Sequence, residues 1–298
     1  MTQTRTLLAA TDFSGPARHA LERAAQLAAA HSDARLTLTH AISSSMLERL
    51  RGLVQGGTLT VKDRLLHETQ AALTEQATRL SEKYARPVET LLRQGPASNV
   101  IPDLANELRA DLLVMGVRGT HFVHEFLIGS TTERVLSKIR RPLLAVKQRP
   151  QSAYRRVLVP VDFSPHAAAA ATAAHAWLPR AEIILLHAFD VEIESTLRFA
   201  SVAEEQIHEY RIQAREAAFE SMREFIAALP IPASQLTRVV VHGAPSMQIL
   251  EHEQSLDIDL IAMGKHGQSA LEELLLGSVT KHVLAYSSGD VLVAGHPE

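Results

Sequence analysis

A chain of 298 residues with 46% hydrophobic content can fill two cores of ordinary domain size, which excludes a disordered polypeptide. Lys and Arg number 30 against 33 Asp and Glu, and the formal charge of −3 is too balanced for a general field to draw nucleic acid or an anionic membrane. Cysteine is absent, so disulfides, zinc-thiolate centres and thiol catalysis are excluded.

Met1 to Arg5 lead directly into a strand-like segment, with no apolar stretch of signal-peptide or membrane-span length, and a cytoplasmic location is expected. The first strand is predicted at Arg5 to Ala10. Ser14 followed by Pro16 then supplies a hydroxyl cap and an early helical proline. A second strand follows at Arg35 to Ala41. The long connection Ser43 to Leu59 leads to a helix whose Val61, Leu65, Leu73, Ala77, Leu80 and Tyr84 recur at helical spacing. Further strands are predicted at Val88 to Arg93, Leu112 to Gly116 and Pro142 to Val146. A helix begins after Gly95-Pro96, and another begins around Thr132.

A polar tether, Lys147 to Tyr154 with Pro150 inside it, opens a second copy of the pattern. Its strands are predicted at Arg155 to Val161, Glu182 to Ala188, Leu236 to His242, Ile258 to Gly264 and Asp290 to Ala294. Ser164 and Pro165 repeat the helix start, Val191 to Ala203 repeats the long connection, and Ile207, Tyr210, Ala214, Ala218, Met222, Phe225 and Leu229 repeat the helical stripe. Gly95, Asp111, Gly116, Gly119 and Gly129 each recur 148 positions later, as Gly243, Asp259, Gly264, Gly267 and Gly277, and Asp12 recurs as Asp162 after 150. Strands of buried length alternating with amphipathic helices predict an α/β fold: two tandem, open, mainly parallel five-stranded sheets flanked by helices, in domains spanning 1–148 and 153–298.

In such a sheet the ligand crevice lies at the carboxyl ends of the strands. After the fourth strand, Gly116-Val117-Arg118-Gly119 opens a loop ending in Gly129-Ser130-Thr131. Gly264-Lys265-His266-Gly267 opens the second, ending in Gly277-Ser278-Val279-Thr280, and both read G-x2-G-x9-G-S. Glycines there can take positive φ and let main-chain amides approach a phosphate, while the following helix start adds its dipole. The alternative is an ordinary loop bounded by glycines, with Ser130 or Ser278 as a simple cap. Neither G-x-x-x-x-G-K-[ST] nor G-x-G-x-x-G occurs.

Val161-Asp162-Phe163-Ser164, Leu186-His187-Ala188, Met263-Gly264 and the glycine motif stand in the second half, with Thr11-Asp12-Phe13-Ser14, Thr39-His40-Ala41 and Met115-Gly116 in the first. Together they resemble the ATP-binding class of universal stress proteins over nearly the whole chain, twice. The resemblance implies that the aspartate lies near adenosine, that the residue after the histidine frames adenine, and that the glycine loop takes the phosphates. One implied set is Asp12, Ala41, Met115, Gly116, Gly119, Gly129, Ser130 and Thr131. The other is Asp162, Ala188, Met263, Gly264, Gly267, Gly277, Ser278 and Val279. The implied ligand is ATP, or AMP or ADP, with or without magnesium. The second half matches more closely, since Ala10-Thr11 replaces Pro160-Val161 in the first; Arg118 there remains a candidate phosphate partner.

Asp12 and Asp162 have a plainer reading as turn caps, and His40 and His187 as packed, hydrogen-bonded side chains; neither histidine is assigned a catalytic role. His121 and His124, three apart, lack a third ligand and read as a solvated pair, so no metal site is expected. A slow ATP-hydrolysing enzyme and a nucleotide-free scaffold or small-molecule carrier are the alternative functions, and no catalytic set is assigned. Leu47, Leu50, Leu53 and Val54 are candidate contacts for a protein partner. The resemblance further implies that the last strands, Pro142 to Val146 and Asp290 to Ala294, meet as a pseudo-dimer within one chain, with a homodimer of chains as an extension.

Overall fold

The computed structural model describes residues 4–43, 58–117, 128–189, 192–267 and 276–295. The chain divides into two units, Met1–Ala153 and Tyr154–Glu298. The first runs β1 (Arg5–Ala10), α1 (Gly15–Ala30), β2 (Ala34–Ile42), α2 (Thr58–Tyr84), β3 (Val88–Gln94), α3 (Ala97–Glu107), β4 (Leu112–Gly116), α4 (Ser130–Lys138) and β5 (Leu143–Val146). The second runs β6 (Arg156–Pro160), α5 (Pro165–Trp177), β7 (Glu182–Phe189), α6 (Glu192–Phe199), α7 (Glu204–Ala228), a short 3-10 turn (Ala233–Gln235), β8 (Leu236–His242), α8 (Pro245–Ser255), β9 (Leu260–Gly264), α9 (Ser278–Tyr286) and β10 (Asp290–Ala294).

In the first unit the strands pair in the order β3-β2-β1-β4-β5, every pair parallel. The second unit repeats this as β8-β7-β6-β9-β10. Parallel strands covered on both faces must be apolar throughout. Leu7, Leu8 and Ala9 of β1, Leu112 to Val114 of β4, and Val157 to Val159 of β6 are accordingly all buried. α1 and α5 turn small side chains to the sheet, Ala17, Ala20 and Ala24 in one and Ala167, Ala170, Ala171 and Ala174 in the other, which lets each helix axis lie close. Ser14 Oγ accepts from Ala17 N–H at 3.2 Å and Ser164 Oγ from Ala167 N–H at 3.3 Å, so both helices start where the hydroxyl and proline predict.

Three expectations need correction. β9 starts at Leu260 rather than Ile258; just before it, the Asp259 carboxylate accepts the N–H groups of Arg155 and Arg156 at 2.7 and 2.9 Å while the Asp259 N–H donates to Arg156 O at 3.1 Å, and Asp111 accepts Thr6 N–H at 2.8 Å in the same way. Val191 to Ala203, read as a connection, contains α6. Tyr210 is 40% exposed although it lies on the predicted stripe, for at 100° per residue it falls at the flank of the face that buries Ile207, Ala218 and Met222. Leu47, Leu50, Leu53 and Val54 lie outside the described residues. Among the described residues no helix is long and apolar enough to cross a membrane.

Candidate functional site

β6 lies between β7 and β9, so the connections leaving its carboxyl end and that of β9 part to form a crevice. Past Pro160 the chain turns sharply. Phe163 takes the left-handed conformation, φ +63°, and its counterpart Phe13 repeats it at +64°. A bulky residue there costs about 1–3 kcal/mol and is kept only when its surroundings over-determine it. Asp162 Oδ1 accepts from Ser164 N–H at 3.0 Å and from Ser164 Oγ–H at 2.5 Å; Asp12 Oδ1 accepts from Ser14 N–H at 3.0 Å. The turn-cap reading of both aspartates therefore holds for one carboxylate oxygen. Asp162 Oδ2 faces elsewhere, 3.1 Å from where a Cβ on Gly267 would stand.

The histidines are packed and hydrogen-bonded. His187 Nδ1 lies 2.7 Å from the Val161 carbonyl and His40 Nδ1 2.7 Å from that of Thr11. A carbonyl only accepts, so Nδ1 carries the proton in each ring.

The glycine loop of the second unit is closed at its base by backbone bonds. Lys265 N–H donates to Ala294 O at 3.0 Å, and Gly277 N–H to Lys265 O at 3.0 Å. Val117 and Gly129 repeat the pattern in the first unit: Val117 N–H to Val146 O at 3.1 Å, and Gly129 N–H to Val117 O at 2.9 Å. Thr280 Oγ1 then donates to Gly264 O at 3.0 Å, as Thr132 Oγ1 does to Gly116 O at 3.0 Å, pinning the helix start against the strand end.

The reason for glycine at these positions differs from the expectation of positive φ. Gly277 and Gly129 have φ of −57° and −61° and serve as the residue before the helix. Among the described glycines only Gly95 and Gly243 have φ in the left-handed range, and neither is in the loop. Gly264 is glycine because a Cβ would come within 2.7 Å of His166 Cβ and 3.1 Å of its backbone carbon; at Gly116 it would meet the Pro16 backbone at 3.1 Å. These two positions admit the first turn of α5 and α1. The simple-cap reading of Ser130 and Ser278 also fails, since each is the first helical residue and no side chain caps the helix. The first intrahelical bond of α9 comes from Lys281 N–H to Gly277 O at 2.9 Å, which leaves the amides of Ser278, Val279 and Thr280 without a helical partner.

These elements enclose a cavity of about 370 Å³, a size ordinary for a small-molecule site. All eight second-half candidates, Asp162, Ala188, Met263, Gly264, Gly267, Gly277, Ser278 and Val279, line it. Its lining has two characters. Val161, Leu186, Ala188, Met263, Pro245 and Ile249 contribute apolar side chains, and Gly267, Gly277 and Ser278 contribute small residues and backbone at the glycine loop and the start of α9. His266 also lines it, its ring edge-on to His166 at 5.5 Å between centroids.

Pro245, Ile249 and His266 were not among the candidates. The Gly243-Ala244-Pro245 helix start was visible, yet only the packing of α8 beside β7 and β6 brings its first turn to the cavity. In the first unit Asp12, Ala41, Met115, Gly116, Gly129, Ser130 and Thr131 occupy the equivalent strand ends and helix start. Gly119, Arg118, His121 and His124 lie outside the described residues. Among the described residues no cluster of His, Asp or Glu could hold a metal ion.

Comparison with known proteins gives a consistent result. The family model described as "Universal stress protein family" matches residues 3–147 and again 153–295. A universal stress protein of Methanocaldococcus jannaschii is 32% identical over 152 residues, 47% of this chain and 94% of that one. One of Mycolicibacterium smegmatis is 25% identical over 293 residues, 96% of each chain. Among solved structures, a universal stress protein from Archaeoglobus fulgidus superposes with a TM-score of 0.72 at 21% identity, covering 99% of this chain and 100% of that one.

Proposed function

The chain belongs to the universal stress protein family, and we propose that it binds ATP or a related adenine nucleotide in the cavity of its second unit and acts as a nucleotide-dependent regulator in a stress response. The observation that carries this reading is that the eight residues implied by the family resemblance, spread from Asp162 to Val279, all line one cavity. Its apolar lining suits a purine base. The start of α9 offers amides and a hydroxyl, and the positive end of the α9 dipole favours an anion there. The equivalent strand ends and helix start of the first unit form a second site of the same design, with Thr11 where the second has Val161. Binding rather than turnover is the role: nucleotide state shifts the population of conformations that a partner recognises.

Calorimetric titration tests this with ATP and adenosine. Wild type should bind ATP at least about tenfold more tightly than adenosine, since charged hydrogen bonds to phosphate are worth about 1.5–3 kcal/mol each. Gly277→Ala with Ser278→Ala should remove most of that difference. Equal affinity for the two ligands, or no ATP binding, refutes the reading.

A further inference from the structure

The β6 turn carries more structure than a simple strand exit requires. Phe163 sits in a backbone conformation that glycine would adopt without strain, yet a phenylalanine stands there in both units. Its ring lies on His187 at 4.4 Å between centroids, and the Phe13 ring lies on His40 at 4.6 Å. Each histidine holds, through Nδ1, the carbonyl of the residue immediately before the aspartate. On the other side, the serine amide holds the aspartate's Oδ1.

Asp162 is thus gripped on both flanks, the preceding peptide by His187 and the following one by the Ser164 turn, with Phe163 bridging the two. The arrangement survives intact where the neighbouring residues have changed, Ala10-Thr11 against Pro160-Val161. A left-handed aromatic and a half-buried ring-to-carbonyl bond stand together in both units. The carboxylate they hold lines the cavity, its Oδ2 directed over Gly267.

We propose that Phe163 and His187 are positioning residues that fix Asp162 as a hydrogen-bond acceptor for the donor groups of a bound ligand, and that Phe13 and His40 do the same for Asp12. The ligand half of this proposal rests on the nucleotide reading, where the donors are the hydroxyls of a sugar. The conformational half concerns the protein without ligand.

Two measurements on the full chain test the halves separately. Amide hydrogen exchange at Ser164, without ligand, should accelerate about tenfold or more in His187→Ala, the loss of roughly one hydrogen bond's protection, while Ala168 inside α5 is unchanged. His187→Asn, whose side-chain amide can donate from the place of Nδ1, should restore most of it. Unchanged exchange at Ser164 in His187→Ala overturns the proposal whatever binds in the cavity.

Titration with a fluorescent ATP analogue then gives a double-mutant cycle. His187→Ala should weaken binding about three- to tenfold in the wild-type background and have little effect when Asp162 is already Asn, because it acts through that carboxylate. Equal losses in both backgrounds overturn the positioning role. If wild type binds no analogue while Ser164 exchange responds as expected, the nucleotide reading fails and the positioning of Asp162 stands.

Discussion

Replacing each glycine of the second-unit loop by alanine separates fold from ligand. At Gly264 the added methyl would lie 2.7 Å from His166 Cβ and 3.1 Å from its backbone carbon, contacts that a rigid helix turn cannot yield. Forcing a methyl into a packed site costs about 1–3 kcal/mol, and at about 2–4 °C per kcal/mol the melting temperature should fall by several degrees. At Gly277 the nearest atom to an added methyl is 3.6 Å away and φ is −57°, which alanine adopts freely.

Gly277→Ala should therefore change stability by less than about 1 kcal/mol, because the freedom lost by the unfolded chain offsets the poorer fit of alanine to the residue before a helix. The same methyl projects beside the amides proposed to hold phosphate, so ATP affinity should fall while stability does not. Differential scanning fluorimetry without nucleotide, followed by ATP titration of the same samples, reads both quantities. If Gly277→Ala lowers stability as much as Gly264→Ala and leaves ATP affinity intact, the assignment of one glycine to packing and the other to ligand is wrong.

Other expectations follow from buried polar groups. Glu253 is 3% exposed and accepts Gly289 N–H at 2.7 Å, Ser288 N–H at 3.2 Å and Ser288 Oγ–H at 3.1 Å, tying α8 to the start of β10. Glu253→Ala should cost at least about 2 kcal/mol in urea unfolding through its orphaned buried donors, and a loss under half that would refute the role. Ser164→Ala should cost about 1 kcal/mol in the same assay by removing the α5 cap.

α6 is anchored through a charge cluster. Among its residues with described side chains only Glu194 is buried, while Phe199 is 92% exposed. Glu194 is held by Arg211, Arg198 and His242, and the hydrogen bond from Arg211 keeps its carboxyl below the usual range. A carboxyl depressed in the folded state stabilises above its unfolded value, near 4.3, and the benefit is lost as pH falls through the lower folded value. Amide protection across 192–199, corrected for intrinsic rates, should hold at pH 6 and fall away as the pH drops below the unfolded value and through the lower folded one. Glu194→Gln should remove that protection at pH 6, and a helix that stays protected in this variant is anchored some other way.

The tandem repeat, the alternation of strands with helices and the apolar helical stripes were legible in the residues because they rest on local periodicity and recurring punctuation, whereas the order of the strands within each sheet came from the tertiary structure. Buried strands are apolar throughout, amphipathic helices repeat at 3.6 residues, and serine with proline marks a helix start wherever it stands. The glycine loop was visible as a pattern, but its physics was not. Gly264 and Gly277 look alike in sequence, and only the approach of His166 to one of them distinguishes a packing glycine from one where a methyl would make ordinary contacts. Tertiary structure likewise decided the contributions of Pro245, Ile249 and His266, and the anchoring of α6 by Glu194. Each depends on which element lies against which, a relation between residues distant along the chain, and no local spacing encodes it.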